Sequence, residues 1–321
     1  VSEDPAVQKP TIRHYLKGLA SQGVTSIFPT CAVGMIRSVS EVADEENEGA
    51  DIVGIHSEGP WLNRVGEKGI KTGWPEVSLD TAKQMVADGQ GKLVALAPEI
   101  PGIDPIIEYF LSQGVTLAYA HSDCTYEEAM AAYAKGITVA THTGNVMTGL
   151  HHRDIGGLGA SLNNENVECE VICDGLHISL EMLKLYFKLK DPSRFMMISD
   201  CSGMAGAPIG QYKGWHPGMI ISITPEGFCL SDTGRLCGSS KPVLYGIGNL
   251  DEKLGMPMST VSRMASLNPA KKYGLADRKG SLEIGKDADI ALFNGMPTLD
   301  PAAGVVMTLV DGEIAYQSKG F

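Results

Sequence analysis

The chain has 321 residues, 43% of them hydrophobic and 20% charged, which is the balance of a globular protein with room for one large domain and a small appendage. A formal net charge of -12 excludes the broad basic surface of a nucleic-acid binder. No apolar run approaches the roughly 18 residues that span a bilayer, and the polar stretch Val1–Pro10 carries no signal-peptide pattern.

In chain order, residues 11–22 read as a helix and 24–30 as a strand. Strands follow at 51–56, 92–97, 115–121, 137–142, 169–173 and 195–200, with helix-like segments at 79–88, 104–113, 125–135 and 179–189 between them. Strands alternating with helices imply βαβ units and a parallel sheet. These strands are apolar on both faces, as strands buried under helices must be. Seven are visible, and a (β/α)8 TIM-like barrel needs one more. Because a helix precedes the first of them, the missing barrel strand is expected upstream of residue 1. The stretch from Thr30 to Asp51 reads as short for a full helix with loops. A seven-stranded open or doubly wound sheet is the alternative.

After Asp200 the pattern changes. Residues 219–223 and 227–231 read as a hairpin around Pro225-Glu226-Gly227, and 258–267 as a helix ending at Asn268-Pro269. From Gly280 the sequence is β-like, with apolar runs at 288–293 and 305–310 and an Asp311-Gly312 hairpin turn before 313–316. We therefore expect a barrel over 1–279 and a small β appendage over 280–321. The seven Cys are scattered and odd in number, which reads as the reduced thiols of a cytoplasmic protein rather than a disulfide framework.

Parallel barrels place their active sites at the C-terminal ends of the strands. Here those ends carry His56-Ser57-Glu58, His121, His142 and Asp200, and His177 follows the 169–173 strand through Asp174-Gly175-Leu176. Two His and a carboxylate with an open position make a catalytic zinc or iron site. Glu58, His121 and His142 are the expected ligands, which leaves Asp200 to move a proton. Any one of them alone reads more simply as a structural residue; it is their placement at one rim that points to a site.

The ordered motifs resemble the N-acetylglucosamine-6-phosphate deacetylases of the amidohydrolase superfamily. Gly54-Ile55-His56-Ser57-Glu58-Gly59-Pro60-Trp61-Leu62-Asn63 is similar to their metal-ligand segment, and Ala120-His121-Ser122-Asp123-Cys124-Thr125-Tyr126 to their GHSxATY segment. Thr141-His142-Thr143-Gly144-Asn145-Val146-Met147 with Leu150-His151-His152-Arg153-Asp154 resembles THLYNAM followed by HHRE. Asp174-Gly175-Leu176-His177, Ser199-Asp200 and Met264-Ala265-Ser266-Leu267-Asn268-Pro269-Ala270 resemble DGxH, the TDA position and ASxNPA. Gly280 to Leu292 resembles the segment with which many amidohydrolases return to a small β-sandwich.

The resemblance implies hydrolysis of the acetamide of an amino sugar phosphate by a homodimer that uses a divalent ion, zinc first, with Fe2+ or another divalent ion as the alternative. It assigns Glu58, His121 and His142 to the metal and makes Asp200 general base, then general acid. Asn145, the backbone of Val146 and His177 would hold the sugar. Arg153 would bind the phosphate across the dimer interface, and its plainer reading is a surface ion pair with Asp154. Leu236-Cys237-Gly238 matches a segment that closes over substrate.

Three positions depart from the family pattern: Lys71 replaces a His that helps polarise the acetyl carbonyl, Gly144 replaces an aromatic residue, and Cys201 follows Asp200. All three bear on the pocket rather than on the metal. The other readings are a hydrolase of a different sugar amide or cyclic amide and a sugar-phosphate binder without turnover. The intact set of Glu58, His121, His142 and Asp200 weighs against the second, because a binder needs no base.

Overall fold

The computed structural model describes residues 4–45, 48–65, 70–71, 76–89, 91–214, 218–295 and 304–319. Seven strands form one sheet: β1 (Thr30–Cys31), β2 (Ile55–Glu58), β3 (Gly91–Leu96), β4 (Thr116–Tyr119), β5 (Val139–Ala140), β6 (Glu168–Ile172) and β7 (Phe195–Ile198). Each pairs in parallel with the next strand in sequence. A short parallel pair, Ser26–Ile27 with Asp51–Ile52, leads into β1 and β2. A doubly wound sheet reverses its strand order at a switch point. This order never reverses, and the sheet curls as part of a TIM-like barrel.

Six helices make the crossovers: Ile36–Ala43, Leu79–Ala87, Asp104–Ser112, Tyr126–Ala134, Gly156–Asn163 and Leu180–Leu189. Local signals start several of them. Ser78 and Ser179 cap theirs with side-chain oxygens, and Thr125 and Glu128 form a reciprocal capping box. The connection from Thr30 to Asp51 corrects the expectation that it is too short for a helix. A three-residue 3-10 turn, Val33–Met35, leads directly into the eight-residue helix Ile36–Ala43, so almost no residues are spent before the helix.

The register sorts the strands' side chains onto two faces. Thr30 pairs with His56 and His56 with Leu93; Glu58 pairs with Ala95, Ala95 with Ala118 and Ala118 with Val139. Leu93, Ala95, Ala118, Ala120, Val139 and Met196 pack together as a small inner core. Val94, Leu96, Leu117, Tyr119 and Val171 point the other way, into the larger core beneath the helices. Successive side chains alternate between faces, so His56 and Glu58 line the barrel interior.

Past β7, Gly210–Lys213, Ile220–Ile223 and Cys229–Ser231 form an antiparallel sheet that contains the expected hairpin. Ile290–Phe293, Val305–Val310 and Glu313–Gln317 form a second antiparallel sheet. Asp311 and Gly312 both have positive φ (50° and 85°) between Val310 and Glu313, as a type I′ turn requires. This sheet packs on the first helix, Pro5–Ala20, and Thr308 Oγ1 donates to the Ala20 carbonyl at 2.8 Å.

Lys279 joins this sheet to the lower end of the barrel. Its ammonium lies 2.8 Å from Asp289, 3.2 Å from Asp51, 3.3 Å from Asp287 and 3.5 Å from Asp311, and its side chain is only 6% exposed. Arg278 also pairs with Asp287 at 2.8 Å, but removing the Lys279 ammonium leaves Asp51, Asp289 and Asp311 facing each other without it. Lys279→Met should lower the unfolding free energy by about 3–5 kcal/mol, read as a shift of the urea midpoint at constant slope. A loss below about 1 kcal/mol, the worth of an exposed ion pair, would contradict this role.

Candidate functional site

The interior face ends in a polar cluster at the C-terminal rim. Glu58 reaches it by simple alternation along β2. His121 and His142 do not. Ala118 and Ala120 already face inward on β4, so the next side chain should face the helices. On β5, Val139 and Thr141 face inward and His142 should not. Both histidines take left-handed backbone conformations, with φ of 50° and 32°, and this turns their rings back over the barrel mouth. Among the described residues, five that are not glycine have positive φ: His121, His142, Val146, Asp200 and Asp311. Four of the five are rim residues expected at the site, and such strained backbone persists only where surrounding contacts hold it.

The rings meet Glu58. His121 Nε2 is 2.7 Å from Glu58 Oε1, His142 Nε2 is 3.0 Å from the same oxygen, and the two Nε2 atoms are 3.1 Å apart. Glu58, His121 and His142 make a group able to hold a metal ion. Bonds of 2.0–2.1 Å to a tetrahedral ion imply edges of about 3.3 Å between ligand atoms, and the observed triangle is close to that size. The donor chemistry also fits. His121 Nδ1–H donates to the Arg64 carbonyl at 2.6 Å, which orients the ring so that Nε2 is the atom facing Glu58. Burial alone would raise the Glu58 pKa, but its hydrogen bonds to the two imidazoles outweigh this and hold the carboxyl well below its usual value. Burial alone would lower the His142 pKa, and the bond to Glu58 reverses the shift and raises it.

Beside this triangle lies a second linked set. Asp174, just past β6, accepts the backbone N–H groups of Leu176 and His177 at 2.8 and 2.9 Å, so the chain folds back and presents His177. His177 Nδ1 is 2.8 Å from Asp174 Oδ2, and its Nε2 is 3.3 Å from Asp200 Oδ2. The Ser239 hydroxyl donates to the same Asp174 oxygen at 2.8 Å, and Ser239 N–H to the Asp200 carbonyl at 2.7 Å. Gly238 packs so closely that a Cβ there would meet the Asp200 carbonyl oxygen at 2.7 Å, with φ at 70°. The segment at Leu236-Cys237-Gly238 thus runs against the backbone of Asp200, whose side chain remains 42% exposed at the rim.

Other expected residues fall nearby or apart. Asn145 lies three residues after His142, and its N–H donates to the His142 carbonyl at 2.8 Å. Its buried Nδ2 has no hydrogen-bond partner among the described residues. Arg153 is exposed on the next loop and bonds to His152 Nε2 at 2.7 Å. Its plainer reading, a pair with Asp154, is not what the loop forms: Asp154 instead accepts the N–H groups of Tyr126 and Gly156. The Lys71 side chain lies outside the described residues; its backbone pairs with Arg64 in a two-stranded hairpin. At Gly144, φ is 98° and a Cβ would meet the Tyr186 hydroxyl at 2.2 Å. The space beside this residue is therefore taken by an aromatic side chain from the Leu180–Leu189 helix. The Cys201 thiol donates to the Lys241 carbonyl at 2.8 Å, and burial pushes its pKa up to about 12.

All seven Cys are free, as expected. Residues that the motifs did not single out for a role include Asp174, Glu99 and Glu170. Asp174 stood in a quoted motif. The other two are single carboxylates within or just past strands, where nothing in the local sequence marks them.

The sequence matches the amidohydrolase family over residues 8–315. The N-acetylglucosamine-6-phosphate deacetylase of Vibrio furnissii is 32% identical over 287 residues, which cover 87% of this chain and 71% of that protein. That of Bacillus subtilis is 30% identical over 314 residues, covering 94% and 77%. The crystal structure of N-acetylglucosamine-6-phosphate deacetylase from Thermotoga maritima aligns with a TM-score of 0.79 and 28% identity, covering 95% of this chain and 82% of that one.

The His177 geometry predicts a pH signature. Burial alone would lower the pKa of its imidazole, but the bonds to Asp174 and Asp200 lift it from 6.5 to about 9. Below 6.5 the ring is protonated in folded and unfolded chains alike, and these bonds contribute their full stability. As the pH rises through about 9 the folded ring loses its proton and the contribution fades. In metal-free protein, His177→Gln should therefore open a gap in urea midpoint from the parent that is full below pH 6.5 and shrinks as the pH rises from 6.5 to about 9. A gap of constant size across that range would contradict the raised pKa.

Proposed function

This chain belongs to the N-acetylglucosamine-6-phosphate deacetylase family of amidohydrolases, and on that premise we propose that it hydrolyses the acetamide of N-acetylglucosamine 6-phosphate to glucosamine 6-phosphate and acetate. One observation carries the reading to this chain's own residues. Three side-chain atoms able to ligate a metal lie within 4.8 Å of one another at the barrel rim, and His177 pairs with Asp200 on the same rim.

In this reading Glu58, His121 and His142 hold one divalent ion, most naturally zinc given two imidazoles and a carboxylate. When bound, the ion supplies Lewis acidity toward the acetamide oxygen and makes the attacking water more acidic. Asp200 takes the proton of that water as its oxygen attacks the acetyl carbon. The same carboxyl then returns the proton to the amine nitrogen as the C–N bond breaks, so the products are acetate and the free amine. His177 engages Asp200 Oδ2 from one side and orients it, which leaves Oδ1 to carry the proton. The protonated ring also places positive charge beside the pocket.

The sugar would lie over the mouth, against the Asn145 amide, whose Nδ2 has no partner among the described residues, and the backbone of Val146, whose φ of 51° turns the chain there. Leu236 and Gly238 would border it on the Asp200 side, and Lys71 would take over hydrogen bonding to the acetyl group. Arg153 suits the phosphate because its planar fork matches phosphate oxygens. Its exposure fits a group completed by a second subunit of a homodimer. The scattered free cysteines support a cytoplasmic setting for this activity.

Asp200→Asn tests the mechanism, because it keeps the shape of the side chain and removes its basicity. The variant should fold, bind zinc as the parent does, and lose at least about a hundredfold in kcat on N-acetylglucosamine 6-phosphate. A folded, zinc-loaded variant with nearly full turnover would exclude Asp200 as the base. A parent with no turnover on that sugar would exclude the substrate.

A further inference from the structure

We propose that Glu99 is a positioning residue for the metal centre: its carboxylate ties the loop beyond Glu58 to the loop that carries His121, and so sets the distance between two of the three ligands. The inference rests on the reading that Glu58, His121 and His142 hold a divalent ion.

Glu99 lies just past β3, the strand between the Glu58 strand and the His121 strand in the sheet. β3 contributes no group to the triangle of ligand atoms. Instead Glu99 Oε1 accepts Asn63 Nδ2–H at 2.8 Å and the Asp123 N–H at 2.6 Å. Its Oε2 accepts the Ser122 hydroxyl at 2.8 Å and the Cys124 thiol at 3.4 Å. An ionised carboxylate has about four lone-pair sites, and all are used. Glu99 therefore has nothing left to offer a metal or a substrate, and every bond it makes goes to one of two loops.

Those loops hold His121 from both sides. Asn63 N–H and Arg64 N–H donate to the His121 carbonyl at 3.1 and 2.9 Å, and the Arg64 carbonyl accepts His121 Nδ1–H at 2.6 Å. On the other side Ser122, Asp123 and Cys124 follow His121 directly, and all three are bound to Glu99. The link is thus closed: Asn63 touches both the backbone of His121 and the carboxylate that grips the next three residues. A histidine with φ of 50° relaxes unless its neighbours fix it. Relaxation toward the ordinary φ would swing the ring off the barrel axis, away from Glu58.

The test is a zinc titration of metal-free protein against a chromophoric chelator, with folding of each variant checked by its melting temperature without metal. Glu99→Ala should weaken zinc binding by about 10–100-fold, the usual effect of losing a group that orients a ligand. Glu99→Gln should recover most of that affinity. Its amide oxygen still accepts from Asn63 and Asp123, and its amide nitrogen donates to a rotated Ser122 hydroxyl. A purely structural role would lower the melting temperature and leave the zinc affinity of the folded protein unchanged, and that result overturns the proposal. If Glu99→Ala does not fold, Asn63→Ala carries the test, since it cuts only the bridge between the loops: weaker zinc binding supports the inference and parental affinity overturns it. His121→Ala separates the two levels. If it binds zinc as tightly as the parent, the metal assignment fails and the inference falls with it. If it loses zinc while Glu99→Ala does not, the metal assignment stands and only the role of Glu99 is wrong.

Discussion

Glu58 Oε1 lies 2.7 Å from one imidazole nitrogen and 3.0 Å from another, and much of the barrel rim serves to keep that oxygen between them. Strand alternation alone delivers only the carboxylate. The two histidines follow inward-facing residues and would point at the helices if their strands continued. Left-handed backbone at His121 and His142 reverses this. Such conformations are unfavourable for side chains with a Cβ. Their presence at adjacent strand ends identifies where packing and hydrogen bonds are directed toward geometry rather than toward stability.

The supporting contacts share one pattern, in which a carboxylate secures the turn that follows or precedes a site residue. Glu99 does so for the turn after His121. Glu170 on β6 does so for His142: the Thr141 hydroxyl donates to its side chain, Tyr273 OH donates to it at 3.3 Å, and its carbonyl accepts the Thr143 N–H at 2.7 Å. Asp174 does so for His177 through two backbone N–H groups and the ring itself. Carboxylates suit this task because they accept from several donors at once and charge-assisted bonds are shorter and stronger than neutral ones. Parallel strands bring Glu99 and Glu170 next to the turns they hold, so that part of the arrangement depends on strand order, whereas Asp174 acts within its own loop.

Much of this was legible in the sequence because it is written at strand ends. The seven apolar runs marked the seven strands, and reading only their last residues picked out Glu58, His121, His142 and Asp200. The Asp311-Gly312 turn was equally plain, since two left-handed residues in succession demand such a pair. The helix Ile36–Ala43 was not legible: a compact 3-10 lead-in removed the loop residues that a crossover was expected to need. Glu99 and Glu170 were not legible either, because their partners lie in other strands and a single carboxylate has no local signature. The departure at Gly144 shows the same limit. The sequence showed only that an aromatic residue is replaced there, and the structure sets Tyr186, from a helix some forty residues later, against the position.

The central claim is that the cluster around Glu58 holds a divalent ion without which this chain does not cleave amides. The most direct measurement is the release of free amine from N-acetylglucosamine 6-phosphate by protein stripped with a chelator and then resupplied with zinc, for the parent and for Glu58→Gln in parallel. The account predicts that stripping abolishes turnover, that zinc restores it in the parent, and that zinc does not restore it in Glu58→Gln. Turnover that survives complete stripping, or that returns equally in Glu58→Gln, would contradict it.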